Sequence, residues 1–238
     1  MENVKTQTEG ATENAESKPQ FYIKVVANGP YMLFGEPKLS ELYAEIDEQG
    51  IPHGYREGKS FPSKEPCALC RCGASKKQPY CSGEHTKHTW DSKEKAKHES
   101  ILKDVIVSDG PLLTLADNEK YCSFAHFCDA SGGIWNIVEC ASTESEVDLA
   151  KEIVANCPSG RLVLWDKHAK KIFEPDYAPE VGLLEGVGVK IKGPIWLRGG
   201  IQVFGANGDS YEIRNRVTLC RCGESENKPF CDGSHTYL

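Results

Sequence analysis

The chain has 238 residues and carries 28 Lys and Arg against 35 Asp and Glu, which gives a formal charge of −7. This acidic balance argues against nonspecific nucleic-acid binding, and no run approaches the roughly 18–20 apolar residues that a membrane-spanning helix needs. The chain has 11 cysteines, and its first residues resemble neither a secretory signal nor a transit peptide. We therefore expect a cytoplasmic protein whose cysteines bind metal or do redox chemistry rather than form disulfides.

The N-terminal part is predicted to contain a tail, a β unit and a linker. Residues 1–20 are polar and acidic, so we expect a disordered tail. Residues 21–90 are predicted to form a small β unit, because the apolar run Ile23–Val26 has strand length and the turn pair Gly29-Pro30 follows it. The charged run 91–100 lacks apolar periodicity and is predicted to be a linker.

Residues 101–180 are predicted to form a middle module. Gly110-Pro111 separates two apolar runs and therefore predicts a hairpin. Apolar residues within Glu144–Ala155 recur at helical spacing, which predicts a short amphipathic helix with Ser142 or Thr143 as its N-cap.

Residues 181–238 are predicted to form a second β unit that repeats the organisation of the first. The apolar run Val187–Ile191 is followed by Gly193-Pro194, which again predicts a strand and a turn. With 22 Gly and 13 Pro, we expect an α+β fold that is mainly β with few short helices. Three tryptophans lie in apolar segments that are predicted to be β-strands of the core: Trp135, Trp165 and Trp196.

A sixteen-residue pattern of cysteine and histidine occurs twice, 150 positions apart, and nine of its sixteen positions are identical. Each copy reads Cys-x-Cys, eight residues, Cys, three residues, His. Both copies also contain a proline two residues before the third cysteine and a glycine two residues after it. The two sets of candidate ligands are Cys70, Cys72, Cys81 and His85, and Cys220, Cys222, Cys231 and His235.

Thiolate ligands suit either a zinc ion or an iron–sulfur cluster. Structural zinc sites mostly use Cys-x₂₋₄-Cys, and the Cys-x-Cys spacing here is tighter. A [2Fe–2S] cluster needs two ligands on each iron, so Cys70 and Cys72 would bind one iron and Cys81 and His85 the other, with the second copy arranged likewise. The pattern favours the cluster, and the alternative is a zinc-stabilised interaction module.

Both segments resemble the CDGSH iron–sulfur (NEET) motif, Cys-x-Cys-x₂-Ser/Thr-x₃-Pro-x-Cys-Asp-Gly-Ser/Ala/Thr-His. The second copy matches at every defined position, and the first has Ser82 for Asp and Glu84 for Ser. The resemblance implies one [2Fe–2S] cluster at each site, held by three cysteines and one histidine, at a potential above that of all-cysteine clusters. The resemblance also implies that acid releases the clusters from the protein. Because Glu84 adjoins His85 and would favour its protonated form, we expect the first cluster to be the more acid-labile.

Three further cysteines lie in the middle module. Cys122 and Cys128 precede Cys157-Pro158, in a stretch that resembles the divergent single-cluster ferredoxin-like domain. The resemblance makes these cysteines the first, third and last ligands, with Ala125 in place of the second. Because three thiolates can hold a cluster that lacks the fourth iron, we expect a [3Fe–4S] cluster or an interconverting three-cysteine cluster. A [4Fe–4S] cluster is the alternative and would take its fourth ligand from solvent, His126 or Cys140. A decayed site whose cysteines pack as apolar residues is a further interpretation.

NEET proteins commonly work as homodimers, whereas this chain carries both motifs. The resemblance therefore implies a monomer in which two small β units form an intramolecular pseudo-dimer, with a small ferredoxin-like α+β module inserted between them. The expected function is electron transfer or redox sensing with a protein redox partner, and the alternative is transfer of clusters to an apo-protein acceptor. The sequence shows no catalytic constellation, so we do not expect an enzyme.

Overall fold

The computed structural model describes residues 19–186 and 192–238. The predicted strand Val187–Ile191 and almost all of the predicted tail lie outside these residues. The described part is mainly β with two short α-helices, an α+β fold as predicted. Among the described helices, none has the length and apolar character needed to cross a membrane. The strands are β1 (Tyr22–Val25), β2 (Tyr31–Phe34), β3 (Lys38–Ile46), β4 (Pro52–Phe61), β5 (Cys67–Leu69), β6 (Ile106–Asp109), β7 (Leu113–Asp117), β8 (Leu162–Asp166), β9 (Lys171–Phe173), β10 (Glu180–Glu185), β11 (Lys192–Arg198), β12 (Gln202–Phe204) and β13 (Arg216–Leu219), and the helices are α1 (Ile134–Cys140) and α2 (Glu144–Ala155).

The strands of the described residues form three sheets, and two of these sheets combine strands from both ends of the chain. The first sheet has the order β12-β1-β2-β5, and the second has the order β13-β11-β10-β3-β4. Strand β12 pairs with β1 in parallel, and β3 pairs with β10 in parallel. The first half of the chain contributes β1, β2 and β5 to the first sheet, and the second half contributes β10, β11 and β13 to the second sheet. Each half also adds one parallel strand to the other half's sheet, namely β3 and β12. β4 extends the second sheet at its edge.

The first two sheets share one hydrophobic core. Apolar side chains from both sheets fill it, and the fully buried ones include Ile23, Val25, Leu33, Leu69, Ile195 and Leu219. Alternate residues of each strand face this core, as the burial patterns of β1 and β2 show. Because both halves supply this core, we expect neither half to keep its apolar surface buried without the other.

The third sheet has the order β6-β7-β8-β9 and packs against α1 and α2 around a separate core. The predicted hairpin at Gly110-Pro111 is confirmed, because these residues connect β6 and β7, which pair antiparallel. The strand assignment of Trp135 was wrong, since this residue lies in α1, and its indole Nε1–H donates to Asp117 at 3.1 Å. Trp165 and Trp196 do lie in strands, β8 and β11, although Trp165 is partly exposed.

The two Gly-Pro pairs of the β units differ in their surroundings. Gly29-Pro30 forms the predicted turn between β1 and β2, closed by a 3.0 Å bond from the Val26 amide to the Pro30 carbonyl. The prediction of a turn at Gly193-Pro194 was wrong, because both residues lie within β11 and are buried. The predicted linker 91–100 packs on the second half of the chain, where the amides of Lys95 and Ala96 donate to the Lys228 carbonyl at 2.7 and 2.9 Å.

Helix α2 begins with the predicted N-cap, and the structure selects Thr143 for that position. The Glu146 amide donates to the Thr143 hydroxyl at 3.4 Å, and the Thr143 amide donates to the Glu146 carboxylate at 2.9 Å. We expect Thr143→Ala to lower the free energy of unfolding by about 1 kcal/mol, because the helix loses a side-chain acceptor for an end amide. Denaturant titration checks this value. Ser142→Ala is the matched control, and an equal effect of the two substitutions would contradict the assignment.

Candidate metal centres

Each sixteen-residue motif begins at the end of a strand and folds back onto it. In the first copy, the Cys70 amide donates to the Pro79 carbonyl and the Cys81 amide to the Ala68 carbonyl, both at 2.8 Å. In the second copy, the Cys220 amide donates to the Pro229 carbonyl at 2.8 Å and the Cys231 amide to the Thr218 carbonyl at 2.9 Å. These bonds bring the third cysteine of each copy beside the strand that ends just before the first cysteine.

The candidate ligands of each motif come together in two pairs. In the first copy, the Sγ atoms of Cys70 and Cys72 are 3.9 Å apart, and Cys81 Sγ is 3.4 Å from His85 Nδ1. In the second copy, the corresponding distances are 3.6 Å and 3.4 Å, for Cys220 with Cys222 and Cys231 with His235. Two ligands on one tetrahedral metal lie roughly 3.5–3.8 Å apart, so each pair has the spacing for one metal atom.

Paired ligands suit a two-iron cluster better than a single ion. Within residues 19–186 and 192–238, no three His, Cys, Asp or Glu side chains converge on one point. Backbone amides point at the ligand sulfurs: Gly83 to Cys81 at 3.5 Å, and Gly233 to Cys231 at 3.4 Å. Such amides stabilise thiolates and a bound anionic cluster. The donor set and its surroundings therefore fit a [2Fe–2S] group.

Ser82 and Asp232 directly follow the third cysteine of each motif, which predicts a helix start there with these residues as N-caps. The structure differs from this prediction in detail. A 3₁₀ turn, rather than an α-helix, carries each histidine, and Gly83 and Gly233 occupy the N-cap positions at φ 79° and 86°. The N-cap assignment of Ser82 and Asp232 was therefore wrong. Asp232 instead accepts bonds from the amides of Ser234 and Glu226, which tie the histidine turn to the loop before Pro229.

Burial raises the pKa of two of these thiols, and a thiol–thiol hydrogen bond shifts the pKa of two others. The pKa of Cys72 is raised to about 11 by burial, and burial likewise raises the pKa of Cys231 well above its ordinary value. The Cys222 thiol donates to Cys220, which lowers the pKa of Cys220 to about 6 and raises that of Cys222. Because metal binding requires thiolates, loading of these sites must release protons.

The repeated arginine of each Cys-Arg-Cys segment holds the metal loop to the Gly-Pro region. Arg71 donates to the Gly29 carbonyl at 2.9 Å, and Arg221 donates to the Gly193 carbonyl at the same distance. Arg221 also pairs with the Glu185 carboxylate at 3.0 Å, whereas Arg71 stacks on the Trp90 ring at 4.8 Å. The buried positive charge is thus matched by a carboxylate beside the second site and by an aromatic face beside the first.

The two sites also differ in exposure. His235 is 7% exposed and Cys231 is 2% exposed, whereas Cys81 and His85 are only half-buried. Burial, reinforced by the positive charge of Arg221, lowers the pKa of His235, and Asp232 acts in the opposite direction. The second histidine is therefore shielded from both solvent and protons.

The three cysteines of the middle module line one cleft, together with Arg161 and His126. Arg161 Nη2 donates to Cys128 Sγ at 3.8 Å, and its Nη1 pairs with the Asp117 carboxylate. Burial works against the charge of Arg161, but Cys122, Asp117, Cys157 and Cys128 together raise its pKa. A buried cation that faces three thiols fits the negative charge of an iron–sulfur cluster held by those thiols.

The other residues relevant to a fourth ligand differ in whether they line this cleft. Ala125 and His126 line it, and the His126 Nδ1 lies 2.8 Å from the Asp129 carboxylate. Cys140 is exposed at the end of α1 and lies 3.8 Å from the Asn136 amide oxygen. Cys67, outside both motifs, packs in the core shared by the first two sheets. His126 is thus the side chain at the cleft that could supply a fourth ligand in addition to the three cysteines.

Four buried arginines beside the sites had no role in the sequence-based prediction: Arg71, Arg161, Arg216 and Arg221. A signal for two of them was present, because the same arginine stands between the first two cysteines of both copies. Arg161 follows Cys157-Pro158 by a few positions, and only the tertiary structure places its side chain against Cys128.

Comparison with known proteins bears on all three sites. Residues 28–86 and 192–236 match the family described as iron-binding zinc finger of CDGSH type. Residues 108–167 match the family described as divergent 4Fe-4S mono-cluster. Neither the curated proteins nor the solved structures gave a match to the chain. The chain therefore contains two CDGSH-type iron-binding regions that flank a divergent 4Fe-4S mono-cluster domain.

Proposed function

We propose that the protein transfers single electrons through three bound iron–sulfur clusters. Two [2Fe–2S] clusters would be held by Cys70, Cys72, Cys81 and His85, and by Cys220, Cys222, Cys231 and His235. When bound, such a cluster supplies a one-electron redox centre. The observation that carries this proposal is the pairing of ligands in both motifs, at 3.9 and 3.4 Å in the first and at 3.6 and 3.4 Å in the second.

The third cluster would be held by Cys122, Cys128 and Cys157, and we propose the [3Fe–4S] type. Its support is the alanine at position 125, where a second cysteine would complete a four-thiolate set, and the single cleft that all three cysteines line. The family match is to a 4Fe-4S domain, so a [4Fe–4S] cluster with His126 as a ligand is the alternative. Arg161 would balance the negative charge of either cluster.

The two β units are proposed to act as an intramolecular pseudo-dimer in a monomeric chain. The reciprocal donation of β12 and β3 supports this arrangement, and so does the contact between the two metal loops. A Cβ placed on Gly73 would lie 2.5 Å from the Cys222 carbonyl oxygen, and one placed on Gly223 would lie 2.9 Å from the Cys72 carbonyl oxygen. Only glycine fits at these two positions, because the loops touch there through their backbones.

Delivery of a cluster to an apo-protein acceptor is the second candidate function. The half-buried Cys81 and His85 favour it, because an incoming thiol reaches an exposed ligand more easily than a buried one. On this alternative the first site is the donor, and the buried second site keeps its cluster. Exchange of labelled iron into an apo-ferredoxin separates the two functions, since an electron carrier cycles without losing metal.

The deciding experiment is measurement of iron, sulfide and zinc in anaerobically purified protein, together with EPR of the oxidised and reduced states. We expect about seven irons per chain and a near-isotropic signal in the oxidised state, from two [2Fe–2S] and one [3Fe–4S] cluster. About eight irons would assign [4Fe–4S] to the middle site. Zinc without iron would contradict the proposed function and favour an interaction module.

A further inference from the structure

The second CDGSH site touches the middle site directly. A Cβ placed on Gly233 would lie 2.0 Å from the Phe124 ring and 3.1 Å from the Cys122 carbonyl oxygen. Gly233 stands between the ligands Cys231 and His235, and Cys122 is itself a candidate ligand of the middle cluster. A backbone segment of one site therefore rests on a backbone segment of the other.

Further contacts fasten the same two sites together. The rings of Tyr121 and Phe230, each adjacent to a candidate cysteine ligand, have centroids 5.2 Å apart. The side-chain amide of Asn227 donates to the Lys120 carbonyl at 3.0 Å. From β13, which leads into Cys220, the buried Arg216 donates to the Cys157 carbonyl at 3.0 Å. These contacts involve both ends of the middle site's ligand set.

The first CDGSH site has other neighbours at the equivalent positions. Tyr80, which corresponds to Phe230, packs edge-on against Phe61 at 6.4 Å, and its hydroxyl donates to the Pro62 carbonyl. A Cβ placed on Gly83, which corresponds to Gly233, would meet no atom of the described residues within 4 Å. The first site instead contacts the second, through the loops that contain Gly73 and Gly223.

We propose that the three sites form a linear relay in which the second CDGSH site is the central member. This inference rests on the proposed function and deepens it. With clusters bound, an external one-electron reductant would reduce the site of Cys122, Cys128 and Cys157. The electron would then pass to the second CDGSH site, which would reoxidise the middle site, and from there to the first CDGSH site. Electron transfer in the reverse direction would pass the same three sites in the opposite order. Direct exchange between the first site and the middle site plays no part.

The order of the relay is tested by EPR of dithionite-reduced protein, through the relaxation of each [2Fe–2S] signal. Cys81→Ser removes the first cluster and Cys231→Ser removes the second. We expect fast relaxation of the signal that remains in Cys81→Ser, because its cluster adjoins the paramagnetic middle cluster, and slow relaxation in Cys231→Ser. Adding Cys157→Ser, which removes the middle cluster, should abolish the enhancement in the former. Equal enhancement in both single variants would overturn the linear order.

A second pair of variants keeps every ligand. Gly233→Ala and Gly83→Ala impose the same penalty of a left-handed backbone, at φ 86° and 79°. Only the former pushes against Phe124 and the Cys122 carbonyl. We expect Gly233→Ala to change the EPR signal of the middle cluster and reduce its coupling to the second, and Gly83→Ala to leave both as in the wild type. Equal spectra for the two variants would contradict the contact.

These measurements distinguish failure of the inference from failure of the proposed function. Absence of [2Fe–2S] signals from the wild type would contradict the proposed function itself. Normal signals and iron content, with relaxation that does not depend on which CDGSH site is removed, would contradict the relay alone.

Discussion

Replacing Arg216 with leucine is expected to lower the free energy of unfolding by about 3–5 kcal/mol. The Arg216 side chain is fully buried, pairs with Glu174 at 2.9 Å, and donates to the carbonyls of Val154 and Cys157. Leucine would fill much of the volume but leave both buried carbonyls without these donors. Because one of them belongs to Cys157, we also expect loss of iron from the middle site. Denaturant titration and iron analysis of the same preparation measure the two effects.

Glu174→Gln is the matched control for this substitution. The Glu174 side chain is 36% exposed, and in the variant the glutamine amide oxygen still accepts a hydrogen bond from Arg216. We expect a loss of at most about 1 kcal/mol and an intact middle site. A control as damaging as Arg216→Leu would show that the ion pair, rather than the bonds to the two carbonyls, supports the contact.

Acid is expected to remove the first [2Fe–2S] cluster at a higher pH than the second. A proton competes with iron for the histidine ligand, and a ligand of lower pKa resists protonation down to a lower pH. Burial lowers the pKa of His235, with Arg221 adding to the effect, and the same burial keeps solvent from that site. His85 is half-buried, so solvent reaches the first cluster more readily. The physical reason is therefore exposure, since the Glu84 carboxylate pairs with Lys87 at 3.0 Å.

This order is measured by the decay of visible absorption during stepwise acidification. Cys231→Ser retains the first [2Fe–2S] cluster and Cys81→Ser retains the second, and both variants keep the three cysteines of the middle site. The Cys231→Ser protein should bleach at the higher pH. Introducing Cys157→Ser into both proteins is the control, because it removes the contribution of the middle cluster. Earlier bleaching of the Cys81→Ser protein would sink this prediction.

Short-range sequence patterns predicted the parts of the fold that depend on neighbouring residues. Helix α2 begins and ends where its apolar spacing predicts, because its capping box and its buried face are both encoded within a dozen residues. The turn at Gly29-Pro30 is confirmed for the same reason. At Gly193-Pro194 an equally good turn pair lies inside β11, whose pairing with β10 and β13 outweighs the local preference.

Helix α1 shows the opposite limit. It has seven residues and several β-branched side chains, so its sequence alone resembles a strand. Its packing on β6, β7 and α2 makes it helical, with Ile134 and Val138 buried one turn apart. Tertiary packing thus decided the conformation of Trp135, which no local pattern indicated.

The sequence by itself determined the candidate ligands of the two motifs, because three cysteines and a histidine within sixteen residues keep their spacing in any fold that closes the loop. It also determined that two such loops exist and that a third cysteine set lies between them. Only the tertiary structure decided how the sites are joined. Three kinds of contact link residues more than 100 positions apart. They are the reciprocal pairing of β3 and β12 with strands of the other half, the contact between Gly73 and the loop that contains Gly223, and the packing of Phe124 on Gly233. Such contacts depend on the complementary shapes of surfaces that are distant in sequence, and a local sequence pattern does not predict which of these surfaces meet.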